Sequence, residues 1–570
     1  MKKYVFFLLA GLAAIAFSCT QITELTPEEQ IPSGPVTLIA DIANENGTKA
    51  SLDDGSGIFA FSASDVIKVH NGTKAYNGTT TAGGATASFT MEDGFDDTGA
   101  GLAAFPAGIV NAIAASSVTF ILPTNYTYAE VGDSDPDAAK VPCPMVASYT
   151  AGNKLNFKQA GAVVRIRVTN IAAGTLSFTF PSFVTGKVTL DAVPSGDDGG
   201  ILEGNLAQAG HTITVLGVPA IASGSYAYIT LPVPTGTKPE NILVVNTPSD
   251  ASNSRLAAIA GSSTELNRAG GRKLSVSPEE AATPTFKVDA STTVVIAPGN
   301  LMAHVASYPN PKDNNLIATA DRWRFGSFFE FIGDAINGGN YLFEHKTGFT
   351  DKWIDIFTWQ GISSTSKAHG LVNVTSHNDT YHGNGNSESL YEGCWETDAS
   401  NGSTGGYIQI ENGGSYKWRP LTNDEWNYLL NNTSRYALID GTKSRFARAT
   451  VAGVNGLLIF PESSSNIWDT TTMGSAPTGI NSTGSQPWGT NSYSAANFVA
   501  MYNVGIVFLP AAGYGYRVTQ DVGVAARYAS STGYSTKNVR APYFYNGGVT
   551  ISYSQRYMGF SVRLARELSN

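Results

Sequence analysis

The chain has 570 residues, which is too many for one hydrophobic core and predicts about three or four domains at roughly 100–200 residues each. With 42% hydrophobic residues, 14% charged residues and 60 glycines, the composition is typical of β-rich extracellular modules and argues against a helical cytosolic enzyme. The formal net charge is -10 and no stretch concentrates Lys and Arg, so we expect neither nucleic acid nor an anionic membrane surface as an electrostatic partner.

The first residues have the order of a secretion signal. Two lysines precede an apolar run at positions 5–17, and a small serine leads directly to Cys19. This order resembles the signal of bacterial lipoproteins, in which the cysteine is diacylated and becomes the mature N terminus; a plain signal peptide is the alternative. We therefore expect a signal peptide at 1–18, lipidation of Cys19 and a linker at 19–35. Later apolar runs are too short for a transmembrane helix, so the lipid is the expected membrane anchor.

The next part of the sequence, residues 36–280, consists of short alternating segments separated by Gly, Asn, Asp and Pro. This pattern predicts two β-sandwich lobes, the first at 36–150 and the second at 151–280. The predicted strands are Val36–Ile42, Ser64–His70, Ser117–Leu122, Ala162–Thr169, Ser225–Val233 and Asn241–Asn246.

Four motifs in this region resemble the fimbrillin-like proteins of Bacteroidales. They are TKASL at 48–52, FSASDVIKV at 61–69, LNFKQAGAVVRI at 155–166 and LNRAGGRKLSV at 266–276. The resemblance implies a stalk or pilus-assembly module whose subunits join by strand exchange, a form of β-augmentation. Since a further domain follows the second lobe, it also implies a place at a pilus tip, or outside pili, rather than in a pilus shaft.

A change in composition marks the next boundary. All eight tryptophans lie after residue 320, and the Pro-containing stretch 277–284 just upstream predicts a linker. The remaining residues, 281–570, form the third predicted domain.

This third region resembles the Bacteroidota surface domain related to sulfatase-modifying-factor and C-type-lectin-like folds. The motifs that carry the resemblance are VVIAPGNL at 294–301, RWRF at 322–325, WIDIFTW at 353–359, WRPLTNDEWNYLL at 418–430, NGLLIFP at 455–461, VFLPAAG at 507–513, RYASST at 527–532 and GFSVRL at 559–564. The two resemblances together imply a fold class that is mainly β with an α+β C-terminal domain: two fimbrillin-like β-sandwich lobes followed by a C-type-lectin-like domain.

One helix stands out in this β-rich sequence. Thr422 is its predicted N-cap, and Glu425 is the reciprocal partner of a capping box. Trp426, Leu429 and Leu430 then fall on one helical face, which we expect to be buried. The core is also expected to hold Arg324, Trp353 and Trp359.

The motifs of enzymes and metal sites are incomplete in this sequence. Cys394 is the only thiol of the third region, whereas an oxidase of the sulfatase-modifying kind needs a reactive pair. His369, His377 and His382 lie in a polar stretch that could be a metal site or a plain loop. The turn DSDPD at 133–137 begins like a calcium loop but lacks its glycine and its final glutamate, so a solvated acidic turn is the favoured alternative. We expect no enzyme, no cofactor and no metal, and we expect Cys143 to be a buried structural thiol.

Aromatic and Asn/Gly-rich loops between 459 and 545 are the expected recognition surface, because such loops combine rigid contact area with adaptable hydrogen bonding. The rings in them are alternatively core residues that brace the loops. The predicted ligand-binding residues are Trp468, Trp488, Tyr493, Tyr514, Tyr516, Arg517 and Tyr543.

These expectations combine into a hypothesis of function. The chain is expected to be an outer-membrane lipoprotein, exposed on the cell surface or carried on a pilus, that acts as an adhesin. Its expected partners are a glycan or protein ligand on a host or neighbouring bacterium, pilin subunits joined by strand exchange, and the membrane through the lipid anchor. A structural lipoprotein without a specific ligand, and an enzyme built on the third domain, are the alternatives.

Overall fold

Strands dominate the computed structural model of this chain, and the protein is mainly β. The chain from Val36 to Asn570 forms one compact unit. Cys19, Trp359, Cys394, Arg517 and the three histidines lie outside the described residues. The structure describes residues 36–42, 58–135, 138–140, 143–196, 199–250, 252–305, 318–329, 353–358, 362–363, 367–368, 410–414, 416, 418–516, 518–534, 538–555 and 558–568.

All six strands predicted for residues 36–280 are present, with their ends within two residues of the prediction. They span Thr37–Ile42, Val66–His70, Val118–Leu122, Ala162–Val168, Ala227–Val233 and Glu240–Pro248.

The N-terminal sheet closes into a barrel, whereas the sequence predicted a sandwich. Closure occurs because Thr37–Ile42 pairs antiparallel with Thr86–Met91 on one side and parallel with Leu155–Gln159 on the other. Phe61 lies among the rings of Phe89, Phe105 and Phe157 in edge-to-face contact. In spatial order the barrel strands are Thr37–Ile42, Leu155–Gln159, Met145–Thr150, Ala100–Phe105, Val66–His70, Ala75–Thr80 and Thr86–Met91.

Two further sheets share one core, as expected of a sandwich, with Val164 and Ile166 from one sheet and Phe178 and Val244 from the other. One sheet has the order Gly132–Asp133, Ala227–Val233, Ala162–Val168 and Gly271–Val276. The other has the order Glu279–Glu280, Arg255–Gly261, Glu240–Pro248, Gly174–Thr179, Thr212–Val218 and Asn125–Thr127. We call this pair of sheets the central sandwich.

Strand pairing crosses residue 151 in both directions. Leu155–Gln159 completes the N-terminal barrel, while Val118–Leu122 pairs with Thr185–Leu190 from the following region. The predicted domain boundaries stay a prediction. The sheet that contains the second pair has the order Ala207–Gly210, Thr185–Leu190, Val118–Leu122 and Val110–Ile113, and a separate two-stranded sheet joins Ile58–Ala60 to Ala138–Lys140.

In the described part of the C-terminal region the strands form six small sheets. The last described strand, Leu564–Glu567, pairs with Thr293–Ile296 near the start of the region. The first two sheets have the strand orders Thr285–Lys287, Thr293–Ile296, Leu564–Glu567, Arg419–Pro420, and Trp353–Ile354, Leu301–Val305, Ala318–Phe325, Lys367–Ala368, Ile362–Ser363. The next two have the orders Ile356–Thr358, Gly559–Ser561, Tyr514–Tyr516, Val518–Gln520, and Thr442–Ser444, Ala437–Ile439, Ser463–Asn466. The last two have the orders Ser492–Tyr493, Phe446–Val451, Val454–Ile459, Val507–Pro510, and Ala525–Arg527, Asn538–Tyr545, Gly548–Gln555.

Short helices connect these sheets. In the described part of the chain the α-helices are α1 (Tyr128–Val131), α2 (Asn423–Asn431), α3 (Thr470–Met473) and α4 (Ala495–Asn503). The 3₁₀ turns are Ala107–Ile109, Glu203–Asn205 and Trp488–Thr490.

The predicted helix is confirmed as α2, together with its capping box. The hydroxyl of Thr422 accepts a hydrogen bond from the backbone N–H of Glu425 at 3.2 Å, and the Glu425 carboxylate accepts one from the N–H of Thr422 at 2.7 Å. Arg419 holds the same carboxylate with two guanidinium nitrogens, at 2.6 and 2.8 Å. The predicted buried face, comprising Trp426, Leu429 and Leu430, is buried, as are the predicted core residues Arg324 and Trp353.

The central sandwich and the C-terminal region share a core. Phe498 of α4 belongs to the same buried cluster as Leu243 and Val245 of the sandwich. The stretch predicted to be a linker is part of this seam, since Glu279–Glu280 pairs with strand Arg255–Gly261 and Ala281 is buried. Strand pairing and apolar burial fix this segment in place.

Candidate functional site

Three of the predicted ligand-binding rings are core residues. Trp468, Trp488 and Tyr493 are 5%, 9% and 6% exposed. Each also donates its polar hydrogen to a backbone carbonyl: Trp468 to Gly474 at 2.9 Å, Trp488 to Val524 at 3.2 Å, and Tyr493 to Ser475 at 3.1 Å. These rings brace the irregular loops from inside, which is the alternative interpretation that the sequence left open.

Tyr514 and Tyr543 are brought together at the surface. Both are half-buried, and their ring centroids are 6.3 Å apart in an edge-to-face arrangement. Tyr545 stacks on Tyr543 at 4.9 Å, and Arg527 lies beside them. We call Tyr514, Arg527, Tyr543 and Tyr545 the tyrosine–arginine cluster. The side chains of the remaining predicted residues, Tyr516, Arg517 and Cys19, lie outside the described residues.

Strand register explains how the cluster forms. Arg527 is directly opposite Tyr543 in the antiparallel pairing of Ala525–Arg527 with Asn538–Tyr545. Tyr543 and Tyr545 are two residues apart on one strand, so both rings stand on the same face of the sheet as Arg527. The stacked rings are inclined by only 19° to each other.

Arg527 is held in place from two sides. Its guanidinium carbon lies 4.0 Å from the ring centroid of Tyr543 and 4.9 Å from that of Tyr514, which are cation–π distances. Its Nη1 donates to the hydroxyls of Ser552 at 3.0 Å and Ser554 at 2.7 Å. Its Nε is buried and has no hydrogen-bond partner among the described residues.

Burial governs the ionisation of the cluster. It raises the pKa of Tyr514 to about 12, with the nearby carboxylate of Asp521 adding to the effect, and it also raises the pKa of Tyr543. Burial lowers the pKa of Arg527, while the neighbouring tyrosines oppose that shift. Because an arginine starts from a very high pKa, the cluster at neutral pH presents uncharged phenols around a guanidinium cation.

Arg527 is absent from the ligand-binding residues predicted from the sequence, in which Arg517 is the arginine. The signal was present in the alternation of the segment PYFYN at 542–546, which places Tyr543 and Tyr545 on one face of a strand. The identity of the partner strand was not readable, because strand pairing is set by the tertiary fold.

A second group of rings lies on the same sheet. Tyr534 and Tyr553 are 50% and 51% exposed, with centroids 4.1 Å apart. The Arg540 guanidinium lies 4.8 and 4.2 Å from the two rings. Arg540 is an odd number of residues from Tyr543, so strand alternation places this group on the opposite face of the sheet from the tyrosine–arginine cluster.

The acidic turn considered as a calcium loop contains an ion pair. Asp133 accepts a hydrogen bond at 2.7 Å from the fully buried guanidinium of Arg165, which also donates to the backbone carbonyl of Asp135. Asp133 is therefore an ion-pair partner rather than the solvated carboxylate expected from the sequence. Within the described ranges, no group of three or more His, Cys, Asp and Glu side chains is arranged to hold a metal ion.

The thiol of Cys143 is fully buried, as the sequence analysis predicted. Burial raises its pKa to about 12, which keeps the thiol protonated and suppresses its nucleophilicity at neutral pH.

Comparisons with known proteins leave the family open. No protein-family model and no curated protein matches the sequence. Two solved structures, provisionally described as cell adhesion proteins of Bacteroides ovatus and Bacteroides uniformis, are 11% and 16% identical, with TM-scores of 0.24 and 0.23. Each alignment covers 44% of this chain, and they cover 96% and 94% of the respective structures. A fimbrial protein of Bacteroides ovatus aligns over 94% of this chain and 100% of its own length at 9% identity and a TM-score of 0.18. Likeness at this level supports no inference about family or function. The structure itself shows a mainly β chain with a tyrosine–arginine cluster on its C-terminal region.

Proposed function

We propose that this protein is a cell-surface lipoprotein that acts as an adhesin or pilus-tip-like binding protein, and that its C-terminal region recognises a ligand on a host or bacterial surface. The observation that carries the proposal is the tyrosine–arginine cluster, in which half-buried rings of Tyr514, Tyr543 and Tyr545 surround Arg527.

The chemistry of the cluster suits recognition. Tyrosine supplies a large, rigid contact area at low entropic cost, and tyrosine and arginine are enriched among residues that dominate binding energy. Since Ser552 and Ser554 hold one nitrogen of Arg527, its guanidinium is oriented before a ligand arrives, which reduces the entropy lost on binding. Neutral phenols and a guanidinium offer contact and hydrogen bonding rather than general acid–base chemistry at neutral pH, so we propose a binding protein and not an enzyme.

The proposal includes a fimbrillin-like fold for the N-terminal part of the chain and a C-type-lectin-like fold for the C-terminal region. The motifs at 48–276 support a fimbrillin-like identity for the barrel and the central sandwich, with pilin subunits as partners through strand exchange. The motif series at 294–564 supports a C-type-lectin-like identity for the C-terminal region, and its principal helix α2 is present with its cap.

Cys19 is the proposed attachment point to the outer membrane. The order of lysines, apolar run and cysteine supports acylation there. None of the helices in the described ranges has the length and apolarity needed to cross a membrane. Replacing Cys19 with serine is expected to release the protein from the membrane fraction, and unchanged fractionation would refute the lipid anchor.

A binding screen tests the proposed function. The chain from position 19 onward, carrying Cys19→Ser, is applied to an array of glycans and extracellular-matrix proteins. The C-terminal region is not used by itself, because it shares a core with the central sandwich. The absence of any ligand on either class of surface would support the alternative of a structural lipoprotein.

Paired variants then locate the binding surface. Tyr543→Ala is expected to weaken binding of the ligand found by about 30-fold, or roughly 2 kcal/mol. Tyr553→Ala removes an exposed ring from the opposite face of the same sheet and is the matched control. Loss of binding in the control variant, with Tyr543→Ala unaffected, would place recognition on the wrong face for this proposal.

A further inference from the structure

A cleft lies at the seam between the central sandwich and the C-terminal region. Its empty volume is about 440 Å³, a figure that includes the solvent-filled mouth of the cleft. Thr247 and Ser254 line it from the sandwich, and Ile296, Trp418 and Arg566 line it from the C-terminal region. A ligand that fills the cleft would therefore contact both the central sandwich and the C-terminal region.

The charge of the cleft is unusual for this chain. The protein carries a net charge of -10, yet Arg566 is the one charged residue among the described residues that line the cleft, and none of those is Asp or Glu. Its guanidinium stacks on Tyr416 at 3.9 Å and lies 5.8 Å from the ring of Trp418. These ring contacts are the interactions found for the Arg566 side chain within the described residues, so its hydrogen-bond donors are available to an anion.

Hydroxyl groups line the same cleft as this cation. Thr247 is 3% exposed, and its hydroxyl has no hydrogen-bond partner in the described part of the chain. A buried hydroxyl without a partner is costly, so a ligand that supplies one is favoured at this position. Ser252, Ser254 and Thr283 add further hydroxyls to the lining, while Ile296 and the neighbouring prolines supply an apolar wall.

We propose that this cleft binds a saccharide unit that carries a carboxylate. The carboxylate pairs with the guanidinium of Arg566, the sugar hydroxyls exchange hydrogen bonds with Thr247 and Ser254, and a C–H face of the ring packs against Ile296. A cleft lined by several hydroxyls and one cation matches a polyol acid better than a peptide carboxylate, which brings one anionic group and few hydroxyls. The site is separate from the tyrosine–arginine cluster and does not depend on it.

The test compares two forms of one ligand. The first probe is a hyaluronan tetrasaccharide, whose glucuronate units carry carboxylates, and the second is the same tetrasaccharide after chemical reduction of those carboxylates to alcohols. Binding to the Cys19→Ser chain is measured by calorimetry or saturation-transfer NMR. The acidic form is expected to bind at least tenfold more tightly than the reduced form, and equal binding of the two forms, or no binding of either, would overturn the proposal.

Three variants assign the effect to the cleft. Arg566→Gln is expected to abolish the preference for the acidic form, whereas Lys238→Gln makes the same change in net charge at an exposed site outside the cleft lining and is expected to leave the preference intact. Thr247→Val keeps the side-chain shape and removes a hydroxyl that has no described partner, so the fold is expected to survive while both probes bind several-fold more weakly. Unchanged binding in Thr247→Val and Arg566→Gln, with normal melting curves, would overturn the site. Tyr543→Ala, which tests the proposed function, is expected to leave this binding unchanged.

Discussion

Replacing Trp426 with alanine is expected to destabilise the C-terminal region strongly. The side chain is 1% exposed and packs in a cluster with Phe286, Leu429 and Tyr528. Truncating a buried tryptophan leaves a cavity and costs about 3–5 kcal/mol. That figure includes the loss of the indole hydrogen bond to the carbonyl of Ala529 at 3.3 Å. At about 2–4 °C per kcal/mol for a cooperative unit of 150–250 residues, the melting temperature should fall by roughly 6–20 °C.

Two companion variants separate the causes. Trp426→Phe retains most of the apolar volume and loses the indole hydrogen bond, so it should cost about 1–2 kcal/mol. Tyr553→Ala removes a ring that is 51% exposed and should stay within about 0.5 kcal/mol of the parent. Differential scanning calorimetry and urea titration measure all three. The reasoning is refuted if Trp426→Ala melts within 2 °C of the parent, or if Tyr553→Ala loses as much stability.

Three further predictions follow from burial. Trp468→Ala is expected to lower the free energy of unfolding by about 3 kcal/mol, because the ring is buried in the core. A variant as stable as the parent in urea titration would contradict this and favour a role of the ring in ligand binding. With the other two cysteines replaced by serine, Cys143 should resist iodoacetamide at pH 8 in the native protein and react in urea, because a pKa near 12 leaves almost no thiolate; rapid native labelling, measured by mass spectrometry, would contradict this. Asp133→Ala should lower the free energy of unfolding by about 3–5 kcal/mol, because it removes the carboxylate that pairs with the buried guanidinium of Arg165. Calcium should not shift the melting temperature of the parent protein. A calcium-dependent rise in that temperature would support a metal site at this turn.

The sequence by itself determined the features that depend on neighbours in the chain. The cap of α2 needs only Thr422 and Glu425, three residues apart, and its buried face follows from helical spacing. The strand at Ala162–Val168 likewise follows from local alternation. Both features are specified within a few residues, so tertiary contacts did not have to be known.

Pairing and burial were decided by the tertiary structure. Arg165 alternates with the apolar residues Val164 and Ile166, yet it is fully buried because the ring of Tyr228 at 4.3 Å and the carboxylate of Asp133 cover it. Closure of the N-terminal sheet into a barrel depended on the strand that pairs with Thr37–Ile42, and that strand begins more than 100 positions later at Leu155.

The candidate sites show the same division. Aromatic type and loop length predicted a recognition surface but did not separate exposed rings from bracing rings, since Trp468 and Tyr543 occur in similar polar, glycine-rich surroundings. Strand register placed Arg527 beside Tyr543, and the seam between two regions brought Thr247 and Arg566 into the lining of one cleft. Local sequence specifies which face of an element is apolar, whereas the position of that element against distant strands decides which side chains meet.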